Sequence, residues 1–225
     1  MTIGWIRCSV LVDKYGNLYP RYLMVTDDRK QKALMIFRRH GGLLRTKDAI
    51  RLGIHPRTLY SMRDAGKLRQ VSRGHYRLSD LPQLGNPDLV AVALAVPKGI
   101  VCLISALSHH GIGTPIPRVV DIAIEKDTKR PRIDYPPIRT FWFSGPAFTS
   151  GVQVHDLDGV PVKIYSPAKT VADCFKCRNK IGLDVALEAL REVRRSRLAT
   201  VDELFQMARV CRVANVLRPY LEAMS

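Results

Sequence analysis

Several small constellations in this 225-residue chain carry residue types that could do chemistry. Ser166-Pro167-Ala168-Lys169 has the S-x-x-K spacing in which a lysine activates a serine nucleophile. Its usual companions, S-D-N and K-T-G, are absent, and a serine before a proline is also an ordinary helix cap. Cys174 and Cys177 form a single C-x-x-C. Zinc needs two further ligands at matched spacing, so two small thiols on one helix face is the plainer reading. His109-His110 has no cysteine or carboxylate close in sequence to converge with it. Asp121 and Glu125-Lys126 invite comparison with metal-dependent nucleases, which need E-x-K. Here the two charges are adjacent and would point to opposite faces of a strand. Gly111-Ile112-Gly113 lacks the third glycine and the preceding strand of a dinucleotide fingerprint. None of these sets predicts a catalytic residue, a cofactor or a metal.

A further set points to binding. Arg45, Lys47, Arg51, Arg57, Arg63, Lys67, Arg69, Arg73 and Arg77 fall within residues 44–78, against only Asp48 and Asp64. The formal net charge is +16, and up to residue 85 there are 17 basic against 6 acidic residues. Such a field draws phosphate polyanions without specifying a fold. The elements that must position these side chains read as a winged helix-turn-helix. A first helix starts at residue 28, capped by Asp27 or Asp28, with Ala33, Leu34, Ile36 and Phe37 as its apolar stripe before Gly41-Gly42. Thr46 caps a second helix whose Ala49, Ile50 and Leu52 face the core, and Gly53 makes the turn. His55-Pro56 opens the third helix, with Leu59 and Met62 behind and Arg57, Tyr60, Ser61 and Asp64 in front. A hairpin turning at Arg73-Gly74 follows, with Val71, Tyr76 and Leu78 on one face.

In that frame each basic or polar residue has an expected role. Arg57 is placed for a bidentate guanine contact, worth roughly 1–3 kcal/mol of discrimination. Tyr60 and Ser61 are secondary contacts, with Thr58 and Arg63 on the flanks. Arg45, Thr46, Lys47, Lys67, Arg69, Arg73, His75 and Arg77 would meet phosphates or an adjacent minor groove.

The fold class expected is α+β: the winged helix-turn-helix, then a larger α+β domain with a mixed or antiparallel sheet and C-terminal helices. Residues 1–27 are expected to be a mobile extension, 28–80 the DNA-binding domain, 81–86 a linker and 87–225 the second domain. In that domain residues 88–96 and 100–110 read as apolar helices. Residues 119–124, 138–143, 151–157 and 162–165 read as strands. Ser166 caps a helix, Leu183, Ala186, Leu187, Leu190 and Val193 form the core face of another, and Thr200 with Glu203 makes a capping box. Residues 89–107 are nearly long enough to span a bilayer, but Pro97-Lys98-Gly99 at the centre argues for two buried elements instead. Five scattered cysteines without a secretory signal suggest reduced thiols and a cytoplasmic protein.

The helix-turn-helix with its RGHYRL wing, followed by VCLISALSHHGI, VDIAI, RTFWFSGPAFTSGV, DGVPVKIYSPAKTVADCF and IGLDVALEALREV, resembles the AbiEi-type antitoxins of type IV toxin–antitoxin (abortive infection) systems. The resemblance covers about residues 32–222, with SPAKTVADCF as its most specific block. It implies repression of the protein's own operon at inverted repeats of operator DNA, bound as monomer or dimer. It also implies a second domain that counters a nucleotidyltransferase toxin, by direct contact or otherwise. On that reading Ser166, Lys169, Thr170 and Asp173 are either structural or part of a toxin-countering patch. The basic cluster with Arg194 and Arg195 is either a solvated helix face or a docking surface. The alternatives are a stand-alone winged-helix regulator with a ligand-sensing or dimerising second domain, and a DNA-targeted nuclease or hydrolase.

Overall fold

The computed structural model describes residues 10–12, 18–113 and 116–224, with side chains from Asp28 onward. The chain divides into two units, Met1–Gln83 and Leu84–Ser225. Of the expected extension, residues 1–9 and 13–17 lie outside the described residues.

In unit 1, β1 (Val10–Val12) pairs antiparallel with β2 (Leu18–Pro20), and α1 (Arg21–Arg39) follows directly. The helix therefore begins before the residue 28 expected from capping. Asp28 sits inside it and pairs with Lys32 at 3.1 Å, one turn on, instead of capping a terminus. Ala33 and Phe37, also one turn apart, are buried. The helix stops where Gly41 and Gly42 take φ of 71° and 77°, and the Gly42 N–H reaches the Phe37 carbonyl at 2.7 Å. Next come β3 (Leu43–Arg45), α2 (Thr46–Arg51), α3 (Pro56–Asp64), β4 (Leu68–Ser72) and β5 (His75–Leu78), with sheet order β3-β5-β4. Helix, strand, helix, turn, helix and hairpin is the order of a winged helix-turn-helix.

Three local expectations are corrected here. On α2 only Ala49 turns inward; Ile50 and Leu52 are exposed, and Ile54, beyond the turn, fills the core position instead. Two turns of helix are too short to bury a full stripe. Thr46 does not cap α2: Arg45 is the cap residue, and Thr46 bonds the wing. Val71 leaves the hairpin's buried face because the register shifts between Gln70 and Ser72. Leu68, paired with Leu78, and Leu44, paired with Tyr76, are buried on that face instead.

Unit 2 runs α4 (Pro87–Ala95), β6 (Ile100–Val101), α5 (Leu103–His109), β7 (Val120–Glu125), β8 (Ile138–Phe143), α6 (Pro146–Thr149), β9 (Val152–Leu157) and β10 (Val160–Tyr165). Five helices close it: α7 (Pro167–Lys176), α8 (Arg178–Ile181), α9 (Leu183–Arg195), α10 (Val201–Val210) and α11 (Ala214–Glu222). The sheet order is β8-β7-β6-β10-β9, with β7–β8 and β6–β10 parallel and the other pairs antiparallel. Of the two expected sheet types, it is the mixed one. The expected helix over 100–110 is corrected at its start: Ile100 and Val101 form the central strand, and the helix begins after Cys102. Two β-branched residues buried between β7 and β10 gain more from the sheet than from a helical turn.

Helix α7 is the hub, packed by α5, α9, α10 and α11. Its residues from Ala168 to Phe175 are all buried, the polar Lys169, Thr170 and Asp173 included. The Thr200–Glu203 capping box forms as expected, both bonds included. On α9, Ala186, Leu190 and Val193 are buried while Leu183 is exposed. No helix among the described residues is long and apolar enough to cross a membrane.

Candidate nucleic-acid interface

Position on α3 decides what this helix can present. Pro56 stands at its first position, and the His55 Nδ1 accepts the Arg57 backbone N–H at 3.2 Å, satisfying a donor the helix itself leaves free. Gly53, at φ 92°, turns the chain from α2 into α3, with the Ile54 N–H reaching back to the Ala49 carbonyl at 2.9 Å. Leu59 and Met62 are fully buried, so α3 is anchored from behind. Arg57, Tyr60 and Asp64 are consequently exposed, with Thr58 and Ser61 half-buried at the margins. Tyr60 is 41% exposed; its ring meets Tyr76 of the wing edge-on at 6.5 Å, which orients it.

The turn of the wing is bonded to the start of α2. Both the backbone N–H and the Oγ1 of Thr46 donate to the Gly74 carbonyl, at 2.7 and 3.1 Å. Gly74 itself takes φ 75° to close the turn at Arg73. The start of α2 therefore sets where Arg73 is carried.

The basic residues divide by how they are engaged. Arg63 donates to Asp64 at 2.8 Å and lies over the Tyr60 ring, so its charge is answered within α3. Arg51 is likewise paired with Asp48. Arg77 is half-buried and donates to the Pro82 carbonyl at 2.7 Å. His75, expected at the phosphates, is buried, with its Nδ1 3.0 Å from Ser72 Oγ and 3.3 Å from the Arg73 carbonyl. Burial lowers its pKa, so the imidazole sits neutral inside the wing and leaves the set of contacts. Arg45, Lys47, Arg57, Lys67, Arg69 and Arg73 are exposed, and no ion pair among the described residues engages them. Six exposed cations without ion pairs in one small unit suit a polyphosphate partner.

In unit 2 the residues that could do chemistry are turned inward. Lys169, Thr170 and Asp173 are fully buried. The Lys169 Nζ donates to both Asp173 oxygens at 2.6 and 2.7 Å and lies 4.0 Å from the centre of the Tyr165 ring. Burial raises the Asp173 pKa, against the pull of the Lys169 ammonium. Cys211 donates to the same carboxylate at 3.3 Å. Thr170 Oγ1 donates to the Tyr165 carbonyl. Ser166 is the α7 cap, its hydroxyl accepting the Lys169 N–H. Of the surface patch suggested on this helix, Lys169, Thr170 and Asp173 are therefore core residues, and only Ser166 keeps some exposure. Arg194 is half-buried and Arg195 exposed, paired with Glu192 at 2.7 Å.

Two partnerships escaped the sequence reading. Asp121, buried, receives two parallel N–H bonds from Arg139 at 2.7 and 2.9 Å. A lone acid in the apolar run VVDIAI was the signal that a cation had to be supplied. His155 of β9 joins His109 and His110, with ring centres 4.7 to 5.7 Å apart. Burial, then the neighbouring imidazoles, lowers the His109 pKa to about 4. His110 Nε2 meets the Tyr165 carbonyl at 2.7 Å. No group of three or more His, Cys, Asp or Glu among the described residues is arranged to hold a metal ion. Beside His109 opens a cleft of about 180 Å³, lined by Asp88, Ser105, Ser108 and Arg118 among others. It falls below the roughly 300–1,000 Å³ of small-molecule sites.

Unit 1 thus combines the element order of a winged helix-turn-helix with an exposed cationic face. Residues 31–79 match the family model described as "Transcriptional regulator, AbiEi antitoxin". That match, confined to unit 1, supports a general role as an antitoxin-type transcriptional regulator. No curated protein matches the chain.

Proposed function

We propose that this protein is a DNA-binding antitoxin of a type IV toxin–antitoxin system, acting in the cytoplasm and without catalytic activity of its own. It represses its own operon by binding inverted repeats through α3 and the wing. Through unit 2 it counters a nucleotidyltransferase toxin encoded beside it. The observation that carries the reading is the exposed Arg57–Tyr60 edge of α3, in a unit with five further exposed cations outside any ion pair, within the segment that matches the antitoxin regulators. The engagement of Lys169 with Asp173, away from Ser166, supports a non-enzymatic reading of the S-x-x-K spacing.

Co-expression with the adjacent gene tests the toxin half. Growth should be rescued by the full chain and by residues 84–225 alone, and Arg57→Ala in the full chain should still rescue. Absence of rescue by either form would remove the toxin-countering role and leave a stand-alone regulator.

A further inference from the structure

Unit 2 carries a second basic surface that the helix-turn-helix does not account for. The connection from β7 to β8 contains Lys126, Lys129, Arg130 and Arg132, all exposed, against the exposed Asp127 and Asp134. No ion pair among the described residues engages them. Lys129, Arg130 and Arg132 line one open concavity with Pro131. The loop is not loosely attached at its start: the Lys126 N–H donates to the Phe143 carbonyl at 2.7 Å, and the Thr128 N–H to the Glu125 carbonyl at 3.1 Å.

Beside it stands Trp142 of β8, 47% exposed. Its Nε1–H donates to the Thr128 carbonyl at 3.0 Å. That bond has two effects: it satisfies the indole's polar atom, and it ties the ring to the backbone of Thr128, the residue before Lys129. A half-exposed tryptophan held in place offers an indole face on which a flat partner can stack. Cations alone would suit any phosphate backbone, whereas a ring held open among them adds stacking that only unpaired bases can use. Duplex DNA keeps its bases stacked inside and would leave Trp142 without a partner.

We propose that Trp142 and the basic loop at Lys126, Lys129, Arg130 and Arg132 form a binding site for single-stranded nucleic acid. A base stacks on the indole, and the flanking phosphates meet Lys129, Arg130 and Arg132. The site is separate from the winged helix and adds a second ligand to the chain.

The test uses the full chain carrying Trp5→Phe, so that emission reports on Trp142, and labelled 12-nucleotide oligo(dT) and oligo(U). Either oligonucleotide should bind and quench the emission, and the tighter of the two identifies DNA or RNA as the source. Trp142→Leu, which keeps apolar bulk without a stacking face, should weaken oligonucleotide binding about tenfold. Arg130→Glu with Arg132→Glu, on the exposed loop, should weaken it at least as much. Neither change should move affinity for duplex operator more than about twofold, and Arg69→Ala with Arg73→Ala in the wing should leave oligonucleotide binding in place. The proposal is overturned if neither oligonucleotide quenches Trp142, if the loop variants bind as the parent does, or if the wing variant alone abolishes binding.

Discussion

At the scale of single residues, charge is either answered internally or left for a partner, and each case makes a different prediction. Lys169 and Asp173 are answered: each is buried against the other. Removing one leaves the other charged and unpaired, so Lys169→Met should destabilise unit 2 by about 3–5 kcal/mol in denaturant titrations. Adding Asp173→Leu should recover most of that loss; a double variant as unstable as the single one would refute the pairing argument. His109 gives a pH signature. Its pKa is lowered to about 4, so the unfolded chain takes up a proton first as pH falls. Stability contributed by the neutral ring is complete above about 6.5 and declines as pH drops toward about 4. Replacing His109 with Asn should flatten the denaturation midpoint over that interval, and an unchanged profile would contradict the burial argument. His75 and His110 are shifted the same way and add to the slope. Much of this scale was hidden in the sequence, because Cys211 and His155 reach their partners across long separations that no local spacing reports.

Elements were more legible. Periodicity placed α3, with Leu59 and Met62 inward and Arg57 outward, because a helix anchored on one face leaves the opposite face predictable. The Ser166 and Thr200 caps were readable for the same reason: capping is local chemistry. Short elements were not. Strand β6 is two residues long and sits mid-sheet, so only its neighbours define it. The inward side of α2 was misjudged because two turns carry little periodic signal. Two predictions belong here. Gly53 takes φ 92° in open space, so the strain of a β-branched side chain at that backbone angle should make Gly53→Val cost unit 1 about 1–2 kcal/mol in thermal unfolding. Thr46→Val removes the side-chain bond to Gly74, worth about 1 kcal/mol, and should lower operator affinity by loosening the wing. Unaltered affinity in that variant would mean the Thr46 hydroxyl does not position Arg73.

For the whole molecule, the arrangement is an addressing unit and a second unit whose apparent chemistry is internal. On the proposed function, Arg57 reads sequence and the five other cations without ion pairs hold the DNA backbone. If those five each meet a phosphate, log affinity should fall with log salt at a slope of about −4 to −5 per chain. A slope near −1 would show that the cationic face is not the contact. The most direct measurement compares full-length protein and Arg57→Ala on the inverted-repeat duplex upstream of the gene and on a shuffled duplex at one fixed salt concentration. The parent should prefer the operator. Arg57→Ala should lose about 1–3 kcal/mol there while binding shuffled DNA nearly as before. Equal loss on both duplexes, or no loss on either, would contradict the assignment of α3 as the reading helix.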